Sequence, residues 1–450
     1  MNYIAYTIGP IYDTILASLN DEQKTKRLQA GSAFFSNFMR ELLIAIKDDF
    51  TVLVPHTGGD ALSKGGNMGV FHDRFIAISP KAEEKIREIF AQRLKEVQHL
   101  IAKEIGDPSL TAYFDEAMQN HLLVASNEAL KSVDDNIIFA LNKLLDALEL
   151  QRRFSLEPLL KEHNPILSYQ QKHIETSRVK TIEAISKEIG MPYYAVVTAD
   201  GDKMGDKIKS LATEDVAGIR PLSKTLYNFF TAKEEGGDLY DLTTERHGGI
   251  LIYAGGDDIL ALLPVKKEDN TVLDYIQTLD KRFKKHVGDD VSLSFGVNIA
   301  YYKYPLRDAV NEAFDLLYDA KSHAPNSVSI KLTKHSGQWF EMTQALSSDA
   351  YTKWYTLVEG VLNERLALPH TFHHSVARYR AAICKTYEDE HGSVGALFEM
   401  VFADERKQEE KEGIEKACEL FDAFRPKDDT AFDALFSALA IIKFLREDRQ

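Results

Sequence analysis

At 450 residues the chain exceeds what one hydrophobic core serves, so two to four folded units of roughly 100–200 residues are expected. A hydrophobic content of 44%, the lack of any apolar run near the roughly 20 residues of a membrane span, and a start at Met1-Asn2-Tyr3-Ile4 without basic residues together predict a cytoplasmic protein with no membrane partner. A formal charge of −15 excludes a surface that grips nucleic acid throughout, and two distant cysteines, Cys384 and Cys418, exclude a disulfide framework or a cysteine zinc ribbon.

Residues Asn2 to Ile8 alternate and end in Gly9-Pro10, a strand followed by a turn. Phe34, Phe35, Phe38, Leu42, Leu43 and Ile46 then recur at helical spacing, which predicts a helix with Ser32 as its cap. Thr51 to Pro55 and Arg74 to Ile78 read as strands on either side of a Gly-rich segment from Gly58 to Gly69. Ser79-Pro80 opens a long helix to about Ile105, and Leu122 to Ala125 returns as a strand, so residues 1–130 read as an α+β unit. From 131 to 190 the signal is helical, with breaks near Pro158 and Pro165, and Met191-Pro192 introduces a change of character.

Tyr194 to Thr198 is a strand, followed by helices near Asp202–Leu211 and Arg220–Ala232 and by paired strands around Gly255-Gly256. A helix at Thr271–His286, the strand Ser292–Tyr301, a helix at Leu306–Ala320 and the strand Ser327–Leu332 complete residues 191–335. This order is that of a ferredoxin-like palm, an antiparallel sheet backed by helices. After Ser336-Gly337 the pattern is helical to the end, predicting a C-terminal helical bundle over 336–450.

Within the palm, Gly255-Gly256-Asp257-Asp258 stands between two apolar, β-prone runs and predicts a tight hairpin carrying two adjacent carboxylates. Neighbouring carboxylates repel, and hard oxygens on a short turn suit Mg²⁺ or Mn²⁺, while the glycines let a polyphosphate approach the backbone. Asp200 leaves the first palm strand in Asp200-Gly201-Asp202-Lys203-Met204-Gly205, offering a third carboxylate and backbone N–H groups at a helix start. Asp200, Asp257 and Asp258 are therefore the candidate catalytic and metal-binding residues, with Gly201, Asp202, Lys203, Met204, Gly205, Gly255 and Gly256 lining phosphates. Asp202 also reads as a cap for the following helix. Lys321 is positioned to neutralise the β- and γ-phosphates or to match a helix C-terminus, and Ser294 to touch a base edge or to pack in the sheet.

The segments Ala199 to Gly205, Gly255 to Asp258 and Tyr302-Lys303-Tyr304-Pro305-Leu306 resemble the polymerase-cyclase palm of the large subunit of type III, Cmr-type CRISPR effector complexes. Ile8-Gly9-Pro10, Thr25 to Ser32 and Asp73-Arg74-Phe75 are similar to that subunit's first domain, and the C-terminal helices to its last. The resemblance implies two ferredoxin-like, palm-type domains: a degenerate one at 1–130 and a catalytic one at 191–335, joined by a helical linker domain at 131–190. It implies Mg²⁺-dependent conversion of ATP into a cyclic oligoadenylate second messenger when target RNA is bound. Asp200, Asp257 and Asp258 would hold the metal, and Lys321 would assist. CRISPR RNA and target RNA would be met through other subunits. Some members join ATP to S-adenosylmethionine, an alternative these residues leave open.

Two departures matter. Many relatives carry an HD nuclease domain and a cysteine zinc site, whereas here His72-Asp73 is a lone doublet beside a strand, so no DNase activity is expected. His370, His373 and His374 have helical metal-ligand spacing without a carboxylate to complete a set. Two rival readings remain: a stand-alone homodimer resembling diguanylate cyclases, and a non-catalytic scaffold of a ribonucleoprotein.

Overall fold

The structure, a computed structural model, describes residues 1–19, 24–63, 70–131, 136–150, 164–174, 180–188, 192–211, 218–234, 237–389, 391–403 and 407–447. The chain forms two compact units interleaved along the sequence. Unit 1 comprises Met1–Ile182, Lys203–Leu262 and Asp280–Ser292; unit 2 comprises Glu183–Asp202, Leu263–Leu279 and Leu293–Gln450. The strands, in chain order, are β1 (Asn2–Gly9), β2 (Thr51–Val54), β3 (Arg74–Ser79), β4 (Gln119–Ser126), β5 (Tyr193–Asp202), β6 (Ile250–Gly255) and β7 (Asp258–Pro264). There follow two short ones, β8 (Lys266–Lys267) and β9 (Asn270–Thr271), then β10 (Ser292–Tyr301), β11 (Ser327–Thr333) and β12 (Trp339–Ala345).

Unit 1 opens with a β-α-β-β-α-β run, built from β1, helix Lys24–Ile46, β2, β3, helix Glu83–Ile105 and β4. The four strands lie in the order β2-β3-β1-β4, the ferredoxin-like arrangement, and β1 pairs antiparallel with both neighbours, Ile4 opposite Ala77 and Val124. Alternation in β1 sends successive side chains to opposite faces, and both faces are covered. Tyr3 and Ala5 join a core with Leu53, Ile76, Ile138, Leu141 and Leu145, the last three from helix Ile137–Leu150. On the other face the Tyr6 ring lies 4.9 Å from that of Phe90 in the long helix and 5.4 Å from that of Phe75.

The predicted cap at Ser32 is corrected by the structure: the helix already runs from Lys24, and Ser32 sits buried inside it. Buried polar residues Thr25, Lys26, Gln29 and Ser36 mask its apolar face in the sequence. Pro165 does open a helix, Pro165–His173, with Asn164 accepting from the Ile166 N–H at 3.0 Å. The breaks expected at Pro158 and Met191, and residues 64–69 of the Gly-rich segment, lie outside the described residues.

In unit 2 the strands follow the order β12-β11-β10-β5; β10 and β11 are parallel, and β11 and β12 are antiparallel. β12 departs from the helical expectation after Gly337: Trp339, Phe340 and Thr343 are β-formers, but Glu341, Gln344 and Ala345 are depleted in strands or neutral and blur the signal. Its Phe340 and Met342 are nonetheless buried. Helix Leu306–His323 packs on β5, β11 and β12. The closing helices run Asp349–Leu362, Phe372–Arg378, Arg380–Tyr387, Gly395–Val401, Gln408–Phe424 and Asp429–Glu447. Helices Phe372–Arg378 and Arg380–Tyr387 are separated at Tyr379. Trp354 is fully buried in this bundle and donates from its indole N–H to the Ala438 carbonyl at 2.9 Å. No described helix is long and apolar enough to cross a membrane.

Candidate active site

The hairpin in unit 1 forms as its spacing predicts. Gly255 pairs with Asp258, leaving Gly256 and Asp257 as a two-residue turn. Gly256 has φ +67, a left-handed conformation that the first position of such turns demands and that a side chain would strain. Leu251, Ile252, Ala254, Ile259 and Ala261 anchor the two strands in the core, so the turn projects Asp257, partly buried, and Asp258, exposed, side by side.

Tyr253 connects this turn to His72 and Asp73, a part of unit 1 far from it along the chain. Its hydroxyl donates to the Gly255 carbonyl at 3.3 Å. Burial raises its pKa well above the ordinary phenol value, and the charges of Asp258, Asp73 and Asp257 add to the rise, so the phenol stays a neutral donor facing three carboxylates. The His72 ring lies 3.8 Å from where a Cβ on Gly256 would stand. Burial lowers the His72 pKa against the opposing pull of Asp73. Arg74 approaches Asp73 at 4.0 Å while holding Asp146 at 2.7 Å and Glu149 at 3.0 Å. The doublet His72-Asp73 thus flanks the hairpin; nothing in its spacing signals that neighbourhood.

In unit 2, strand β5 delivers Asp200 beneath Lys321. Thr198 and Asp200, two apart, share a face of the strand. The Thr198 hydroxyl donates to the Ala313 carbonyl at 2.9 Å, tying the strand to helix Leu306–His323. A Cβ on Gly296 of β10 would come 2.1 Å from the Ala313 oxygen and 2.5 Å from the Leu317 nitrogen, so only glycine lets the helix lie this close. Ala313, Leu317 and Lys321 follow at i, i+4 and i+8 on that inner face. The Lys321 ammonium accordingly pairs with the Asp200 carboxylate and donates to the Gly201 carbonyl at 3.2 Å.

Of the two readings open for Ser294, the structure shows sheet packing, with Asp202 as its hydrogen-bond partner. Ser294 is fully buried, and its hydroxyl donates to both Asp202 carboxylate oxygens, at 3.0 and 2.9 Å. Asp202, only 7% exposed, also accepts from the Asn326 N–H at 2.7 Å, and the Ser294 oxygen accepts from the Ser327 N–H at 3.2 Å. The pair fastens the ends of β5, β10 and β11 together and presents no hydroxyl to a base edge.

Of the remaining phosphate-lining candidates, Lys203 is exposed with φ +59 and Met204 is buried at the start of helix Met204–Leu211. Gly205 packs in unit 1 close to Phe139, whose ring a Cβ there would meet at 3.2 Å. Gly58-Gly59-Asp60 forms a loop, with the Ala61 N–H donating to the Gly58 carbonyl at 3.3 Å. Among the described residues no three His, Cys, Asp or Glu side chains form a ready-made metal cluster, His370, His373 and His374 included.

The β-α-β-β-α-β run recurs in the second part of the chain, through β5, helices Met204–Leu211 and Ile219–Thr231, β6, β7, helix Val272–Val287 and β10. A chain with two such runs and a carboxylate-bearing hairpin belongs to the palm-type α+β proteins. Residues 193–329 match the family model described as Cas10/Cmr2, second palm domain. A curated relative, the CRISPR system Cmr subunit Cmr2 of Pyrococcus furiosus, is 32% identical over an alignment of 205 residues that covers 38% of this chain and 22% of that protein. This stretch is therefore similar to the second palm of a type III Cas10-like large subunit.

Solved structures share the fold at low identity. A type III-B Cmr-beta structure in the apo state matches with a TM-score of 0.61 and 10% identity, covering 99% of this chain and 82% of that one. A Csm1-Csm4 cassette in complex with AMPPNP matches with 0.54 and 14%, covering 100% and 70%. A Csm1-Csm4 cassette in complex with cA3 matches with 0.53 and 13%, covering 99% and 69%.

Proposed function

We propose that the protein is a nucleotidyltransferase of a type III CRISPR effector complex, converting ATP into a cyclic oligoadenylate when target RNA is bound through neighbouring subunits. The observation that carries this reading is the Gly256-Asp257 turn, which sets two carboxylates side by side within a stretch matching the Cas10/Cmr2 second palm. Similar folds named as bound to AMPPNP and to cA3 support it. So does the second βαββαβ run within the chain, since it supplies in one polypeptide the paired palm that a cyclase homodimer takes from two copies. The four-part division at 130, 190 and 335, and residence in the cytoplasm, belong to the same proposal.

Asp200, Asp257 and Asp258 would hold Mg²⁺ or Mn²⁺. The donor chemistry fits: all three are hard oxygen ligands, and Asp200 already accepts a cation in the ammonium of Lys321. When bound, the metal supplies charge to stabilise an attack of a ribose hydroxyl on the α-phosphate with loss of pyrophosphate. The residues themselves contribute positioning. The buried strands of the hairpin fix the two carboxylates, Gly255 and Gly256 leave the backbone open to phosphate, and Lys321 brings a positive charge toward the β- and γ-phosphates.

The test is to incubate the assembled complex with target RNA, Mg²⁺ and ATP, with and without S-adenosylmethionine, and identify products by mass spectrometry. Oligoadenylates that vanish in the Asp257→Ala, Asp258→Ala double variant, with assembly intact, support the proposal. Unchanged turnover in that variant refutes it. A product containing S-adenosylmethionine would replace the second substrate while keeping the site.

A further inference from the structure

The Asp200–Lys321 pair stands where the proposed chemistry needs a divalent cation. Lys321 sits in the last turn of helix Leu306–His323, held over β5 by the close approach at Gly296 and the Thr198 hydrogen bond. Its ammonium is on the Asp200 carboxylate and 3.2 Å from the Gly201 carbonyl oxygen. Both side chains keep about a third of their surface exposed, 32% and 30%, so neither is locked in place. A lysine carries its point charge on a flexible four-carbon stem and can swing its head group by several ångströms without moving the helix. An ammonium and a divalent cation on one carboxylate repel each other at contact distance, so the two occupancies compete.

We propose that Lys321 is a displaceable placeholder cation: it neutralises Asp200 in the metal-free chain, leaves that carboxylate when a divalent cation enters, and then delivers its ammonium to the triphosphate. The inference rests on the assignment of Asp200 as a metal ligand in the proposed function and adds a sequence to it. The lysine reaches phosphate only after the carboxylate has been filled. The same displacement makes empty-site metal binding weaker than the ligand set alone would give.

The experiment follows the Lys321 amine directly in the wild-type chain, by brief acetylation with an N-hydroxysuccinimide ester and peptide mass spectrometry. Mg²⁺ should raise Lys321 labelling several-fold, and Mg²⁺ with a non-hydrolysable ATP analogue should lower it again. Asp200→Asn should raise labelling without metal and abolish the response to Mg²⁺. In parallel, Lys321→Met should tighten Mn²⁺ binding without nucleotide by about two- to fivefold, the scale a partly exposed ion pair can impose, read by electron paramagnetic resonance. Labelling that ignores Mg²⁺, while Asp200→Asn still loses Mn²⁺ binding, overturns the placeholder role and leaves the metal assignment standing. Full Mn²⁺ affinity in Asp200→Asn overturns the metal assignment and this proposal with it.

Discussion

Gly296→Ala is the substitution that most sharply probes how the fold sets up Asp200. The new methyl would lie 2.1 Å from the Ala313 carbonyl oxygen, 2.5 Å from the Leu317 nitrogen and 2.8 Å from the Thr198 hydroxyl. The first two are backbone atoms and cannot rotate away, so helix Leu306–His323 must lift from the sheet. Overpacking of this kind costs about 1–3 kcal/mol, and backbone on two sides places this case near the upper end. Replacing glycine within a strand returns roughly 0.5–1 kcal/mol of unfolded-state entropy, leaving a net loss of about 2 kcal/mol. Both tryptophans, Trp339 and Trp354, lie in unit 2, so their fluorescence during urea unfolding reports that unit alone. With a slope of roughly 2 kcal/mol per molar urea, the midpoint should fall by about 1 M. Lys321 labelling should also rise without Mg²⁺, because the lifted helix withdraws the lysine from Asp200. A midpoint within about 0.2 M of wild type would show that the close approach at Gly296 does not hold the helix.

Ser294→Ala should destabilise unit 2 by about 1.5–3 kcal/mol, because a buried carboxylate loses a hydrogen-bond donor, while leaving the KM for ATP unchanged. A raised KM at unaltered stability would return Ser294 to the nucleotide. His373 provides a pH test. Burial first, then the positive charges of Lys443, Lys334 and His374, push its pKa down to about 4, whereas the unfolded chain titrates near 6.5. Between those values the unfolded state binds the extra proton, so stability present above pH 6.5 is lost as pH falls toward 4, by at most about 3 kcal/mol. His373→Phe should flatten that slope, and an unchanged slope would contradict the assignment. Finally, purified protein should not cleave single-stranded DNA; metal-dependent cleavage lost in His72→Ala would refute this.

Much of the architecture is legible in the sequence because its signals are local. The hairpin announces itself by two glycines between apolar runs, and β1, β5 and β10 by their apolar character. What escaped depends on partners far along the chain. The Ser294–Asp202 bond joins residues 92 apart, and no periodicity distinguishes a serine facing a nucleotide from one facing a buried carboxylate. His72 and Asp73 read as a stray doublet until folding sets them beside Gly256 and Tyr253. In β12 the polar Glu341 and Gln344, which an edge strand tolerates, dilute the β signal of Trp339, Phe340 and Thr343. Gly205 also packs close to the Phe139 ring, a contact that its place in a glycine-bearing loop does not signal.

The central claim is that Asp200 and the pair Asp257 and Asp258 act on one divalent cation with the nucleotide. It is tested most directly by a double-mutant cycle on Mn²⁺ affinity in the presence of a non-hydrolysable ATP analogue, using Asp200→Asn, Asp257→Asn and the combination. If they share the ion, each single substitution removes most of the affinity and the double variant loses little more. Independent losses that simply add would mean that the carboxylates do not serve a common metal, and the proposed site would fall.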